Sequence, residues 1–403
     1  MVDMILEPLS ELTEYMAKGI APKYTEGDSE NAIYVLNQKC NRNFKISYEY
    51  ARLHDLSKKK VSDERYVQKY DVLINSTGTG TAGRVAQMME VAIPTTVDGH
   101  MIILRNNEKI DPLYYGYAVK SHQPEIEELA EGSTGQTEIN KKRLMDEVII
   151  SYPKDLEEQR KISTFLYEID QKIELNNEIN KNLEQQTQAL FTAWFESFEP
   201  FGGVAPDLWR QVTLGDIAEI KTNSFNPQKN PDVLIEHYSI PAFDEKKYPV
   251  FEVAAGVKSN KYILSNNSVM ISKLNPNTKR VWRPLCLSDM AVSSTEFIIF
   301  EAFNSKHKDY VYSVINSQGF TDWMCSHTTG STNSRQRTTP ATTLNYRLWL
   351  PDDESMDQFL NAVTPMYDLI AHNLSQNQEL ISLRDSLLPK LMSGEIDVSD
   401  INL

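Results

Sequence analysis

A chain of 403 residues with 40% hydrophobic and 24% charged residues has the composition of an ordinary globular protein, with room for two or three domains. No run of 18 apolar residues occurs, the stretch from Met1 to Glu11 is acidic without a basic n-region, and Cys40, Cys286 and Cys325 are scattered without metal-ligand spacing. A membrane span, a secretory leader, a disulfide framework and a zinc site are therefore not expected, and a reducing cytoplasm is the expected location.

The net charge of −15 speaks at face value against a nucleic-acid partner, but its distribution weakens that objection. Basic and acidic residues number 18 against 23 in 1–150, 5 against 10 in 151–200, 16 against 13 in 201–350 and 2 against 10 in 351–403. The excess acid lies mostly in the second and fourth segments, which leaves globular lobes free to carry local basic faces.

Residues 1–150 read as a mixed lobe. Leu9 to Met16 predicts a short helix, followed by a turn at Gly19 to Pro22. Strand-like runs follow at Ala32 to Leu36, Asp71 to Asn75 and Met101 to Leu104, and a last one at Val148 to Pro153. Lys58-Lys-Lys60 sits in a polar connector, and Gly132 to Gln136 reads as a loop.

The segment 151–200 predicts a long helix from about Leu156 to Glu199. Its apolar seam alternates steps of three and four through Leu166, Ile169, Ile173, Asn176, Asn180, Leu183, Thr187, Leu190 and Trp194. That is coiled-coil spacing. Residues 201–350 repeat the plan of the first lobe. Leu214 to Ile220 corresponds to the opening helix, Ser268 to Ser272 to the strand at 71–75, and Gly330-Ser-Thr332 to Gly132-Ser-Thr134.

The segment 351–403 predicts a second long helix from about Glu354 to Ser393. Adding 197 to the first seam gives Val363, Met366, Ile370, Asn373, Asn377, Leu380, Arg384, Leu387 and Leu391. Both seams carry asparagines at matching layers, and a buried polar layer lowers stability but fixes register. Antiparallel pairing would set Asn176 against the Asn377 layer and Asn180 against the Asn373 layer. Replacing Asn176 and Asn373 by leucine should then raise thermal stability and loosen register. The lobe–helix–lobe–helix repeat of about 200 residues is too long for a solenoid unit and reads as a tandem duplication. The expected fold is mixed α/β, with two lobes joined by two long antiparallel coiled-coil helices in an internal pseudo-twofold repeat. Helices of about 34 residues would span roughly 50 Å, long enough to measure distance along a DNA duplex, whose turn repeats about every 34 Å.

Catalytic motifs were weighed along the same chain. Gly78-Thr-Gly-Thr-Ala-Gly83 is a literal G-x-G-x-x-G after a strand. Pro94 follows too soon for a crossover helix, so a loop whose backbone approaches phosphates, or a plain turn, fits better than a dinucleotide site. Asp232 with Asp244-Glu-Lys246 loosely fits a metal-dependent nuclease. There is no Pro-Pro dipeptide, as an adenine methyltransferase box would need, and no Gly-Lys of a phosphate loop.

Several stretches carry a family resemblance. In the first half they are Tyr34-Val-Leu-Asn-Gln-Lys-Cys40, Leu73-Ile-Asn-Ser-Thr-Gly-Thr-Gly80 and Leu156-Glu-Glu-Gln-Arg-Lys-Ile162. In the second they are Tyr238-Ser-Ile-Pro-Ala-Phe-Asp244, Ile271-Ser-Lys-Leu-Asn-Pro276 and Leu387-Leu-Pro-Lys-Leu-Met-Ser-Gly394. In this order the chain resembles a type I restriction–modification specificity subunit over nearly its whole length. The resemblance implies target-recognition domains at 1–150 and 201–350, each reading one half of a split DNA site, with helices at 151–200 and 351–403 as ruler and docking surface. Two methyltransferase subunits would dock there, and restriction subunits could join. The chain itself would be non-catalytic and without cofactor; S-adenosylmethionine, ATP and magnesium would belong to the partners. Two other readings stand beside it: a free-standing DNA-modifying enzyme, and a coiled-coil scaffold with no nucleic-acid role.

Candidate DNA readers are two polar loops in each lobe. In the first lobe they hold Ser76, Thr77, Thr79 and Arg84, then Ser133, Thr134 and Gln136, with Lys141, Lys142 and Arg143 nearby. In the second they hold Lys273, Asn275, Asn277, Lys279, Arg280 and Arg283, then Ser331, Thr332, Asn333, Arg335, Gln336 and Arg337. Arginine grips guanine edges and Asn or Gln adenine edges with paired hydrogen bonds, whereas Lys, Ser and Thr more often hold phosphates. Off the seams, Leu175, Ile179, Ala193, Phe198, Leu374 and Ile381 could form a second contact stripe for partners.

Overall fold

A computed structural model describes residues 3–27, 30–132, 137–329 and 336–396. The chain forms two compact units: residues 1–171 with 380–403, and residues 172–379. The boundary falls inside two continuous 40-residue helices, Leu156–Phe195 and Asp353–Met392, each about 60 Å long at about 1.5 Å per residue. Each unit therefore consists of one lobe and a stretch of both helices.

The first unit centres on a sheet in which Met101–Asn106 lies between Thr13–Lys18 and Val72–Asn75, with Val85–Gln87 beyond. Every residue of Val72–Asn75 is buried, which explains its unbroken apolar run. A second sheet orders Thr95–Val97, Ala32–Leu36, Arg52–Asp55 and Tyr24–Thr25. The strand Ile149–Pro153 closes the lobe by pairing antiparallel with Met4–Pro8. The core runs from Leu9 and Tyr115 in the lobe to Ile162 and Leu166 on the first helix and Leu388, Leu391 and Met392 on the second.

The second unit repeats this order. Phe297–Ala302 lies between Ala218–Lys221 and Ser268–Ser272, with Val281–Trp282 beyond. Arg210–Thr213 pairs with Arg347–Leu350. Its other sheet has five strands rather than four: Val250–Val253 pairs with Leu234–Tyr238 as Arg52–Asp55 does with Ala32–Leu36, and Lys261–Ile263 is added between Ala291–Ser294 and Ser224–Phe225. An aromatic core gathers Phe191, Phe195, Trp209 and Tyr310 around Phe359. Edge-to-face contacts between such rings add to area burial.

One expectation fails in both lobes. The predicted opening helices at 9–16 and 214–220 are single 3-10 turns, Leu9–Glu11 and Leu214–Asp216, each followed by a strand. The apolar spacing there suits a helix, but Thr13–Lys18 and Ala218–Lys221 complete the edge of a central sheet. Cross-strand pairing outweighs the small propensity difference.

Candidate nucleic-acid interface

In each unit the first polar loop is the turn of an antiparallel hairpin. Residues 76–84 join Val72–Asn75 to Val85–Gln87, and residues 273–280 join Ser268–Ser272 to Val281–Trp282. The G-x-G-x-x-G therefore leads into a strand and not a helix, so no helix N-terminus stands behind it to receive a pyrophosphate. Its glycines serve conformation instead. Gly83 has φ +86°, and an added Cβ would lie 2.7 Å from Glu127 Cα.

A pair of short antiparallel strands flanks the second polar segment in each unit. Ala130–Glu131 pairs with Glu138–Ile139, and Thr328–Thr329 pairs with Arg337–Thr338. The two loops of a unit are tied to each other by matching backbone contacts. Isolated bridges join Thr77 to Glu138 and Leu274 to Arg337. The Ile139 N–H donates to Ser76 O at 2.8 Å and the Thr338 N–H to Lys273 O at 3.0 Å. Asn275, held at φ +47°, donates its N–H to Gln336 O at 2.9 Å. Four loops separated in sequence thus become two composite surfaces, one per lobe.

Within them the side chains differ in availability. Thr79, Lys142, Asn277 and Arg337 are exposed; Thr77, Arg84, Lys141, Arg143, Lys273, Asn275, Lys279, Arg280 and Gln336 are half-buried. Arg84 donates to Gly80 O at 3.0 Å, which ties its guanidinium across its own loop. Thr77 Oγ1 lies 2.9 Å from His100 Nδ1 and accepts from Gln38. Arg143 pairs with Glu131 and Glu147, Arg280 with Asp244, and Arg337 with Glu296. The Arg143 and Arg337 pairs are open enough to solvent to exchange for phosphates or base edges, whereas the Arg280 side chain is mostly covered. Arg280 also takes up the Asp244 carboxylate that a nuclease reading would assign to metal. Among the described residues no cluster of three His, Cys, Asp or Glu side chains could hold a metal ion.

Two of the candidates sit inside the lobe fabric. Ser76 is fully buried. Arg283 lies between Asp309, at 2.7 Å, and Asp368, at 2.8 Å, and so fastens the lobe to the second long helix. Lys279 lines a cavity of about 520 Å³ together with Trp282, Tyr312 and Tyr367. Its ammonium donates to Asn316 O, and burial lowers its pKa to about 8. Ser133, Thr134, Gln136, Ser331, Thr332, Asn333 and Arg335 lie outside the described residues.

The helix asparagines form a small buried network in the second unit. Asn176 donates to Asn377 Oδ1 and Gln376 Oε1, both at 2.8 Å. Asn373 donates to Asn180 Oδ1 at 2.8 Å, and Asn377 to Asn177 Oδ1 at 2.9 Å. As one number rises the other falls, so the helices run antiparallel there. Other polar ties carry no signal in the sequence. Gln159, in the first turn of the first long helix, is fully buried and bridges Pro153 O and the Asp111 N–H, at 2.7 Å each. Asp170, one step off the seam, is also buried and receives Arg384 at 2.6 Å and Tyr117 at 2.7 Å.

The profile of the type I restriction modification DNA specificity domain matches residues 11–185. The chain is similar to type I restriction–modification specificity subunits. It is 26% identical to the type I restriction enzyme MjaIX specificity subunit of Methanocaldococcus jannaschii, over 98% of this chain and 90% of that protein. It is 25% identical to the HindI specificity subunit of Haemophilus influenzae, over 60% of this chain and 68% of that one. The fold is similar to the crystal structure of a type I restriction–modification S subunit from M. genitalium. The TM-score is 0.58, at 16% identity, over 97% of this chain and 96% of that one. No helix among the described residues is long and apolar enough to cross a membrane.

Proposed function

We propose that each lobe reads one half of a split DNA site through its composite loop surface. The observation that carries this reading is the matched backbone junction, Thr77 with Glu138 in one lobe and Leu274 with Arg337 in the other. Duplicated lobes that join two polar, side-chain-rich loops at equivalent points suit two half-sites read in the same manner. Exposed Thr79, Lys142, Asn277 and Arg337 supply phosphate and base-edge contacts. Lobe boundaries near 150 and 350 follow from the strands Ile149–Pro153 and Arg347–Leu350, after which the long helices begin.

In this reading the helix pair sets the gap between half-sites, and two methyltransferase subunits dock on it. Leu175, Leu369 and Leu383 leave apolar side chains exposed along the helices for that purpose. S-adenosylmethionine, and ATP and magnesium where a restriction subunit joins, are bound by those partners, in the cytoplasm. The test is duplex binding by the chain with its methyltransferase partner as salt rises. Binding that recognises a split site and falls steeply with salt supports the reading. Salt-insensitive binding, or none, counts against it.

A further inference from the structure

The tandem repeat places equivalent residues at an offset of 197, so the polar layer where each lobe meets the helix pair can be compared position by position. In the first unit Asp170 of the first helix, Arg384 of the second and Tyr117 of the lobe meet in one buried cluster. The equivalent positions in the second unit are Tyr367 and Thr187 at that offset, with Ser313 on the lobe helix one residue short of it. There the Tyr367 hydroxyl lies 2.9 Å from Ser313 Oγ and also bonds Thr187. One layer holds an ion pair; its counterpart holds three neutral hydroxyls.

The asparagine layers behave differently. Asn176 and Asn180 are equivalent to Asn373 and Asn377, so an antiparallel pair of two first helices would set asparagine against asparagine as the present pair does. The four seam asparagines fix register, and they distinguish the helices only through their flanking bonds to Gln376 and Asn177, whose equivalents are Ile179 and Leu374. The charged layer does distinguish them. Two first helices would set Asp170 against Thr187, leaving a carboxylate with no cation. Two second helices would set Arg384 against Tyr367, leaving the guanidinium only the exposed Asp385 of its own helix. A buried charge without its partner is strongly disfavoured, and every homotypic pair would contain two such layers.

We propose that the Asp170–Arg384 layer selects the partner of each long helix, so that the first helix accepts the second and rejects a copy of itself. A duplicated chain needs this selection. Its two lobe–helix halves share one packing pattern, and during folding each half meets the other halves present in the cell. The ion pair then contributes to which lobes share one helix pair, and so keeps two different lobes together.

The test uses the full chain with a protease site placed in the exposed turn at Gly202 and Gly203, where no atom lies within 4 Å of an added Cβ. The cleaved protein is unfolded, refolded with both halves present, and the pairs are counted by native mass spectrometry. Wild type should return the mixed pair almost alone. Asp170→Asn with Arg384→Gln, which neutralises the layer in near-isosteric form, should raise the share of both homotypic pairs about tenfold or more. Arg384→Gln alone leaves Asp170 without its cation in every pairing, so both homotypic pairs should rise together, as equal numbers of the two halves require, and this variant gives a reading even if the double variant folds poorly. An unchanged homotypic share in the double variant would overturn the proposal. So would an unchanged share in the single variant.

Discussion

Asn180 and Asn373 offer the sharpest test of how the helix pair is held. Both are about 95% buried, and Asn373 donates to Asn180 Oδ1 at 2.8 Å. Asn180 Nδ2 has no partner among the described residues. Changing Asn373 alone to leucine leaves the whole Asn180 amide buried and unpaired, at a cost of about 1–3 kcal/mol. That cost offsets most of the roughly 1.5–3 kcal/mol that a buried leucine contributes. Changing both residues removes the stranded amide and keeps the apolar gain. The double-mutant cycle should therefore show a coupling of about 1–3 kcal/mol in favour of the double variant. The same logic revises the substitution of Asn176 with Asn373. These two are not partners, so that double variant strands Asn180 and one side of Asn377, and its stability gain should be small or absent. Urea unfolding of the full chain, followed by helical circular dichroism, measures the cycle. Additive effects of Asn180→Leu and Asn373→Leu would refute the hydrogen-bonded layer.

Three further outcomes follow from the loops. Lys279, whose folded pKa is about 8, should lose its contribution to DNA affinity as pH rises from 7 to 9, by about tenfold if it holds a phosphate. Lys279→Arg should flatten that profile, because arginine stays charged. In stability the sign is opposite: the unfolded chain keeps the Lys279 proton up to its ordinary pKa, so stability gains with pH between about 8 and 10.5, a slope that Lys279→Met should remove. Arg337→Ala should either lower the salt slope of DNA binding by about one, if the guanidinium holds a phosphate, or relax recognition at one base position in one half-site. An unchanged slope and unchanged specificity would remove Arg337 from the interface. Gly83→Ala should cost more than about 2 kcal/mol in thermal unfolding, since it combines positive φ with a backbone clash. Gly80→Ala, at φ +72° with open space around it, should cost only about 1 kcal/mol.

The helices were the most legible part of the chain because a heptad seam repeats over about eight turns and its duplicate at an offset of 197 supports the same reading. The layer partners Asn176 with Asn377 and Asn180 with Asn373 follow from that seam alone. The opening segments at 9–16 and 214–220 misled because their apolar spacing fits a helix, while strands distant in sequence supply the edge they pair with. Asp170 and Gln159 were invisible for a related reason. Both look like solvated helix residues until the lobe folds over them, since a polar side chain carries no sign of whether Tyr117 or the Asp111 N–H will reach it. In the loops, residue types alone mark the polar segments. Only tertiary contacts separate Ser76 and Arg283, which are bound into the lobes, from exposed Thr79 and Arg337.

The central claim is that each lobe governs one half-site. It is tested most directly by a genome-wide map of N6-methyladenine in cells carrying this gene with its methyltransferase partner, with the gene deleted, and with Asn277 and Arg337 of the second lobe replaced by alanine. Wild type should yield one split motif that deletion abolishes. The variant should change or relax one half of the motif while the other half and the gap stay fixed. A map indifferent to the deletion, or a variant that alters both halves together, would contradict the account.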